Sequence, residues 1–254
     1  MTSLMQRCLF GTLIGDAHGS PYEGRKVSGT KIGSYTDDTE QAYGIAEWLK
    51  SGRLDLENLA RTLRSVYTGE VRGYGSSQAA FLEGKEYRKD SFGNGAAMRA
   101  APIGVYAKSP DETIRLATLQ CRLTHNHPSA IAGSVTVALL AFLLKTGRDQ
   151  SSISALYPDA LLPQTGKTYV CSLAADESVP PAVDAFTRGT SFVGTLKRAL
   201  AWGNDVDTIA AIACGLAALR FTIPEGLLKR VVDAHQDNAR MYRMILRLGM
   251  SAQR

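Results

Sequence analysis

Apolar residues recur at intervals of three and four along most of this 254-residue chain. That spacing gathers them on one face of an α-helix, which turns once every 3.6 residues. It predicts helices over about residues 3–17, 39–50, 55–68, 110–122, 129–146, 190–202, 207–220 and 224–248. Alternation of apolar and polar residues, the mark of a half-buried strand, is nearly absent. A second pattern is one of size: Gly11, Gly15 and Gly19 fall every fourth position, and alanine-rich stretches occupy 96–101 and 210–218. Faces made of such residues let helix backbones approach closely, so tight crossings are expected. Residues 157–181 carry Pro158, Pro163, Pro180 and Pro181, interrupt the periodicity and read as an irregular connection. The pattern predicts an all-α fold, a compact orthogonal multi-helix single domain over residues 1–254.

Composition narrows the function classes. With 44% hydrophobic and 21% charged residues, the chain can bury one large core. A formal charge of +5 favours anionic ligands, but no long Lys/Arg run or ladder of basic and aromatic residues marks a nucleic-acid surface. The basic residues near the C-terminus, Lys229, Arg230, Arg240, Arg243, Arg247 and Arg254, are expected to form a solvated helix face. Cys8, Cys121, Cys171 and Cys214 form no CxxC pair, which argues against a zinc knuckle or a disulfide framework and for reduced core residues in a cytoplasmic protein. Arg7 and Asp16 bracket the apolar patch at 8–14, with no cleavage-type sequence after it, and no apolar run is read as approaching the roughly 20 residues of a membrane span. A soluble protein without a membrane partner is expected.

Two acidic clusters stand immediately before predicted helices: Thr36-Asp37-Asp38-Thr39 and Asn204-Asp205-Val206-Asp207-Thr208. Helix capping accounts for either one alone, because a first turn welcomes a side-chain acceptor and negative charge. Capping needs one acceptor, however, whereas each cluster supplies two carboxylates and a hydroxyl. That surplus of hard oxygen donors suits magnesium or manganese, and four carboxylates that met in a fold would repel one another without a cation.

Glycine-punctuated turns supply the second kind of candidate chemistry. Ser91-Phe92-Gly93-Asn94-Gly95 leads into the alanine-rich stretch containing Met98 and Arg99, so backbone N–H groups there could face an anion. Arg99 is a candidate for reaching a phosphate, with a structural ion pair as the alternative. Arg72-Gly73-Tyr74-Gly75-Ser76-Ser77 is a similar turn before a short helix. Gly15-Asp16-Ala17-His18-Gly19, followed by Pro21-Tyr22-Glu23, reads as a helix end and a loop that carries a candidate acid or base, Glu23.

Taken in order, these stretches resemble the ADP-ribosylglycohydrolase family, from Gly11 to about Leu219. The resemblance rests on Gly-Asp-Ala-x-Gly with Glu23 seven residues after Asp16, Thr-Asp-Asp-Thr at 36–39, Gly-Tyr-Gly at 73–75, Gly-Asn-Gly-x-x-Met-Arg at 93–99 with Ala-Pro-Ile-Gly beyond, Thr124-His125, and Gly-x-Asp-x-Asp-Thr at 203–208. It implies an all-α fold with two divalent cations, Mg2+ or Mn2+, in a central cleft, and hydrolysis at the anomeric carbon of ADP-ribose. Carried over by position, Thr36, Asp37, Asp38, Asp205, Asp207 and Thr208 would be the metal ligands. Asp38 and Glu23 would share acid and base duty, with Asp37 beside them.

The pyrophosphate would sit against Ser91, Gly93, Asn94 and Gly95, with Met98 and Arg99 behind them and Gly73, Tyr74 and Gly75 opposite. Phe92 would stack on adenine, and His125 would contact the ligand. Asn204 and Val206 depart from the family's Gly-Asp-Thr-Asp-Thr framing while the ligand types stay, and His18 stands where an aliphatic residue is common. The implied partner is an ADP-ribosylated protein or a small ADP-ribose conjugate, met by a monomer; an ADP-ribosylated nucleic acid fits the same chemistry. An inert ADP-ribose-binding protein and a dimetal nucleotide phosphohydrolase remain alternatives.

Overall fold

Helices dominate the computed structural model, which describes residues 2–70 and 72–248 and shows no strand among them, only isolated bridges. The first helix, α1 (Leu4–Gly19), starts at a capping box: Gln6 N–H donates to Ser3 Oγ at 3.2 Å and Ser3 N–H donates to Gln6 Oε1 at 2.8 Å. Its glycine stripe lies against α12 (Val206–Arg220). A Cβ on Gly11 would fall 2.2 Å from the Cys214 carbonyl oxygen, and one on Gly15 would fall 2.1 Å from that of Ala210. A Cβ on Gly19 would come within 2.3 Å of Asp207 Cα. Only hydrogen fits at these three positions, so the small residues seen in the sequence set the depth of the crossing.

Around this pair stand α2 (Asp37–Lys50), α3 (Leu56–Val66) and α4 (Ser76–Leu82), then α7 (Pro110–Arg122) and α8 (Pro128–Thr146). Two short helices, α5 (Gly95–Met98) and α6 (Ala101–Tyr106), take up the alanine-rich stretch at 96–101. Gly104 of α6 repeats the close approach, since its Cβ would lie 2.0 Å from the Ala138 carbonyl oxygen of α8. By length and composition α8 could cross a membrane, against the expectation that no segment could. In the fold 72% of that apolar window is buried, because α6, α7 and α12 pack on this helix.

Two further expectations are corrected. After a one-turn helix α9 (Ile153–Leu156), the irregular connection ends at Ala174, and α10 (Ala175–Thr187) runs through Pro180 and Pro181. Each proline removes one helical donor. The carbonyls that lose it belong to Asp176 and Glu177, which keep contact with solvent, while Val179, Ala182 and Val183 bury their side chains and hold the helix in place. Past α11 (Phe192–Leu200) and α12, the helix expected over 224–248 is broken at His235, whose backbone is extended, into α13 (Glu225–Ala234) and α14 (Gln236–Leu248). Lys229, Arg230 and Arg243 are exposed there, Arg240 is half-buried, and Arg254 lies outside the described residues. The four cysteines are free thiols in the core.

Candidate active site

The α1·α12 crossing and the start of α2 converge on one point. Asp16 has no exposed surface, and near the end of α1 it receives hydrogen bonds from Thr36 N–H at 3.0 and 2.9 Å and from Thr39 N–H at 3.1 Å. Thr39 Oγ1 donates to it as well, at 2.5 Å. Asp16 thereby fixes the first turn of α2 relative to α1. One carboxylate oxygen from each of Asp16, Asp38 and Asp207 lies within 4.8 Å of the others, all three residues being buried. The sequence gives Asp16 a place in a motif but no ligand role. Its signal was a carboxylate set within a stripe of small residues, facing the helix that the stripe packs against.

The surplus of oxygens read from the two clusters persists in three dimensions. Thr36 caps α2 by accepting from Asp38 N–H at 3.4 Å, and its hydroxyl donates to Asp38 Oδ2 at 2.9 Å. Thr208 donates to the same oxygen at 3.3 Å. Asp205 occupies the N-cap position of α12 yet makes no capping bond; Asn94 Nδ2 donates to its Oδ2 instead. The outer oxygens Asp38 Oδ1 and Asp207 Oδ1 are buried and have no hydrogen-bond partner. Unpaired buried carboxylate oxygens are costly unless a cation meets them. This oxygen-only donor set, without His or Cys, therefore fits Mg2+ or Mn2+ better than zinc.

Electrostatics agree with the geometry. Burial and then the neighbouring carboxylates raise Asp37, Asp38 and Asp207 well above the ordinary carboxylate range. Burial pushes Asp16 up to about 6, against the hydrogen bonds from Thr39 and Thr36. It pushes Asp205 up to about 7, against the one from Asn94.

Asp37, Asp38, Asp205 and Asp207 line a cavity of 290 Å³ whose walls also include Glu23, Gly73, Gly75, Gly95 and His125. Gly73 has φ +85°, and a Cβ there would come 3.3 Å from Asp37 Oδ1, so glycine is needed for the approach. The turn before α12 also needs left-handed backbone: Gly203 has φ +76° and Asn204 φ +54°. Asparagine tolerates that conformation better than most residues, and Asn204 Nδ2 donates to Val170 O at 2.7 Å.

Ser91, Gly93, Asn94, Gly95, Met98 and His125 line the same cavity. The anion cradle is corrected in part. Gly93 N–H donates to Ser91 Oγ at 3.2 Å and Asn94 N–H to Leu173 O at 2.9 Å, so two of its donors are already used. Asn94 instead orients Asp205. Phe92 is 58% exposed and sits 6.1 Å, ring to ring, from His127, outside the cavity lining. Tyr74 turns away and donates to Glu40.

Arg99 is also corrected. It is fully buried outside the lining, and it donates to Gln120 Oε1 at 2.7 Å, Gln41 Oε1 at 2.8 Å and Thr124 Oγ1 at 3.0 Å. Among the described residues it has no ion-pair partner, and burial lowers it to about 10. Its contact with Thr124 orders the next residue. The Thr124 hydroxyl accepts from Arg99 and has its own proton free to donate to His125 Nδ1, 2.7 Å away, the direction we assign to this bond. His125 is then a neutral ring with its proton on Nε2, beside Gly93 and Gly95. Burial, and then Arg99, push it down to about 3. His18 leaves the cleft altogether: its Nδ1 bonds Ile14 O at 2.7 Å and its ring faces a different cavity.

The all-helical fold thus sets a buried aspartate triad beside this cavity, and similarity to known proteins gives the family. Residues 2–253 match the profile of the family described as ADP-ribosylglycohydrolase, and the chain belongs to it. An uncharacterized protein of Archaeoglobus fulgidus is 30% identical, over 92% of this chain and 93% of that one. The ADP-ribosyl-[dinitrogen reductase] glycohydrolase of Rhodospirillum rubrum is 26% identical over 87% of each chain, and the ADP-ribosylhydrolase ARH3 of Bos taurus 26% identical over 85% of this chain and 84% of that one. A solved structure titled ADP-ribosylglycohydrolase-related protein complex shares the fold, with a TM-score of 0.73 and 24% identity over 98% of both chains.

Proposed function

We propose that this protein is a divalent-cation-dependent ADP-ribosyl-acceptor glycohydrolase, cleaving the bond between the ribose anomeric carbon and a modified protein side chain. The observation that carries the reading is the pair of unpartnered buried oxygens, Asp38 Oδ1 and Asp207 Oδ1, on two residues of a cavity that the family's glycine turns also line. Two Mg2+ or Mn2+ ions would be held by Thr36, Asp37 and Asp38 from α2 and by Asp205, Asp207 and Thr208 from α12, with Asp16 bracing the group. When bound, they would supply the positive charge that lets these carboxylates stay ionised together, and a Lewis acid for ribose hydroxyls or water.

The protein's own groups account for the rest. Breaking the anomeric bond leaves oxocarbenium-like positive charge on the ribose, which the crowded carboxylates favour. Glu23 is the exposed carboxylate at the cavity mouth and is the proposed proton donor to the departing acceptor atom. Asp38, with one oxygen held by two hydroxyls, is the proposed acceptor of a proton from the attacking water. His125, kept neutral, offers an Nε2–H donor to a ligand oxygen beside Gly93 and Gly95.

Incubation with proteins ADP-ribosylated on defined side chains, with Mg2+ or Mn2+, is expected to release free ADP-ribose and the unmodified acceptor. Release of phosphate or a nucleoside monophosphate would instead indicate phosphohydrolysis. Binding without any product would leave an inert binder.

A further inference from the structure

A second cavity, of 850 Å³, opens beside the loop between Tyr22 and Ile32 and the face of α11. Its size is that of a small-molecule site. The floor is mainly aliphatic, from Val27, Ile32, Val193, Leu196 and Leu200, and Trp202 closes one side. Trp202 is half-buried and is steadied from behind by Tyr169, whose ring centroid is 6.3 Å away at an interplanar angle of 80°.

The rim is of one sign. Lys26 and Lys31 from the loop, Lys197 from α11 and Arg230 from α13 all line it, and no aspartate or glutamate does. Some surface cations elsewhere are paired, as Arg53 is with Asp55 at 2.6 Å and Arg188 with Asp184 at 2.8 Å. Among the described residues none of the four rim cations has a side-chain salt bridge or hydrogen bond. Four like charges around an apolar floor repel one another unless an anion joins them, and an apolar floor is stabilised by covering it.

We propose that this cavity is a binding site for a small amphipathic organic anion, its aliphatic body on Leu196, Leu200 and Trp202 and its carboxylate or phosphate head among Lys26, Lys31, Lys197 and Arg230. The proposal stands independently of the glycohydrolase reading. The site is separate from the acidic cavity but shares its framework, since Tyr22 and Gly203 line one while Glu23 and Asp205 line the other. Gly24 N–H also donates to Asn204 O at 2.8 Å, which ties the two loops together. The charged side chains that line the two cavities are of opposite sign.

The test uses the full chain and the fluorescent anion 1-anilinonaphthalene-8-sulfonate, with uncharged N-phenyl-1-naphthylamine as its companion. Saturable binding of one equivalent of the sulfonate is expected, displaced by dodecanoate or by dodecyl phosphate but not by ADP-ribose. Whichever of the two displaces better identifies the head group. The Lys31→Glu/Lys197→Glu variant, changed only at exposed positions, is expected to weaken the sulfonate roughly tenfold and the uncharged probe little. Trp202→Ala is expected to weaken both probes. Absence of saturable binding, an unchanged sulfonate affinity in the charge-reversed variant, displacement by ADP-ribose, or displacement by neither amphiphile would each overturn the proposal.

Discussion

Single residues decide whether the acidic centre works. Asp38 and Asp207 each keep a buried oxygen without a partner, and each sits among other carboxylates. Asp38→Asn or Asp207→Asn is therefore expected to lower cation-dependent ADP-ribose release by about 10²–10⁴-fold. The same change removes repulsion, so the chelator-treated variant should melt above the chelator-treated parent, and added Mn2+ should raise its melting temperature less. Undiminished turnover in both variants would count against the proposed site. Arg99 acts at one remove: it fixes the Thr124 hydroxyl, which fixes the His125 tautomer. Nitrogen-15 spectra should show the His125 proton on Nε2 and no imidazolium signal at pH 6. Thr124→Val, which removes the relaying hydroxyl, is expected to give a mixture of tautomers while the helical content stays unchanged.

Among the elements, the α1·α12 crossing carries the site. Its three glycine positions admit no Cβ without moving backbone, because the nearest atoms are carbonyls and a Cα rather than flexible side-chain ends. Gly15→Ala is expected to cost about 1–3 kcal/mol, and it should weaken Mn2+ binding as well, since Asp16 is the next residue. Calorimetric melting together with a metal titration measures both effects; a loss of stability with unchanged metal affinity would separate the crossing from the site. Helix α14 contributes from outside the cleft. Asn238 accepts from Tyr35 N–H at 2.9 Å and donates to Gly33 O at 2.9 Å, so the chain is held immediately before Thr36.

Across the whole molecule, the crowding of carboxylates makes stability depend on pH and on cations. Asp16 and Asp205 titrate at about 6 and about 7 in the fold, against roughly 4 in an unfolded chain. The metal-free fold holds protons that the unfolded chain releases between these values, so its stability is greatest at the acid end of that window and falls as pH rises through it. Chelated protein should thus melt at a higher temperature at pH 6 than at pH 8. Saturating Mg2+ or Mn2+ should flatten or reverse that order, because a cation bound only by the folded state stabilises it by mass action and prefers ionised ligands.

The helical class, the tight-crossing stripe and the two acidic clusters were legible in the sequence because each is local. Helical spacing, a glycine every fourth residue and adjacent carboxylates are patterns within one element, and the family resemblance rested on runs of that kind. What the tertiary structure alone decided was which side chains meet. Asp16 joined the triad because α12 packs on its stripe, and Arg99 and Tyr74 left the cleft because buried acceptors on other helices hold them. Asn94 became a support for Asp205, and Pro180 and Pro181 were carried within a helix by burial of their neighbours. Each of these turns on partners distant in the chain, and packing, which selects such partners, is invisible to any window of sequence shorter than the fold.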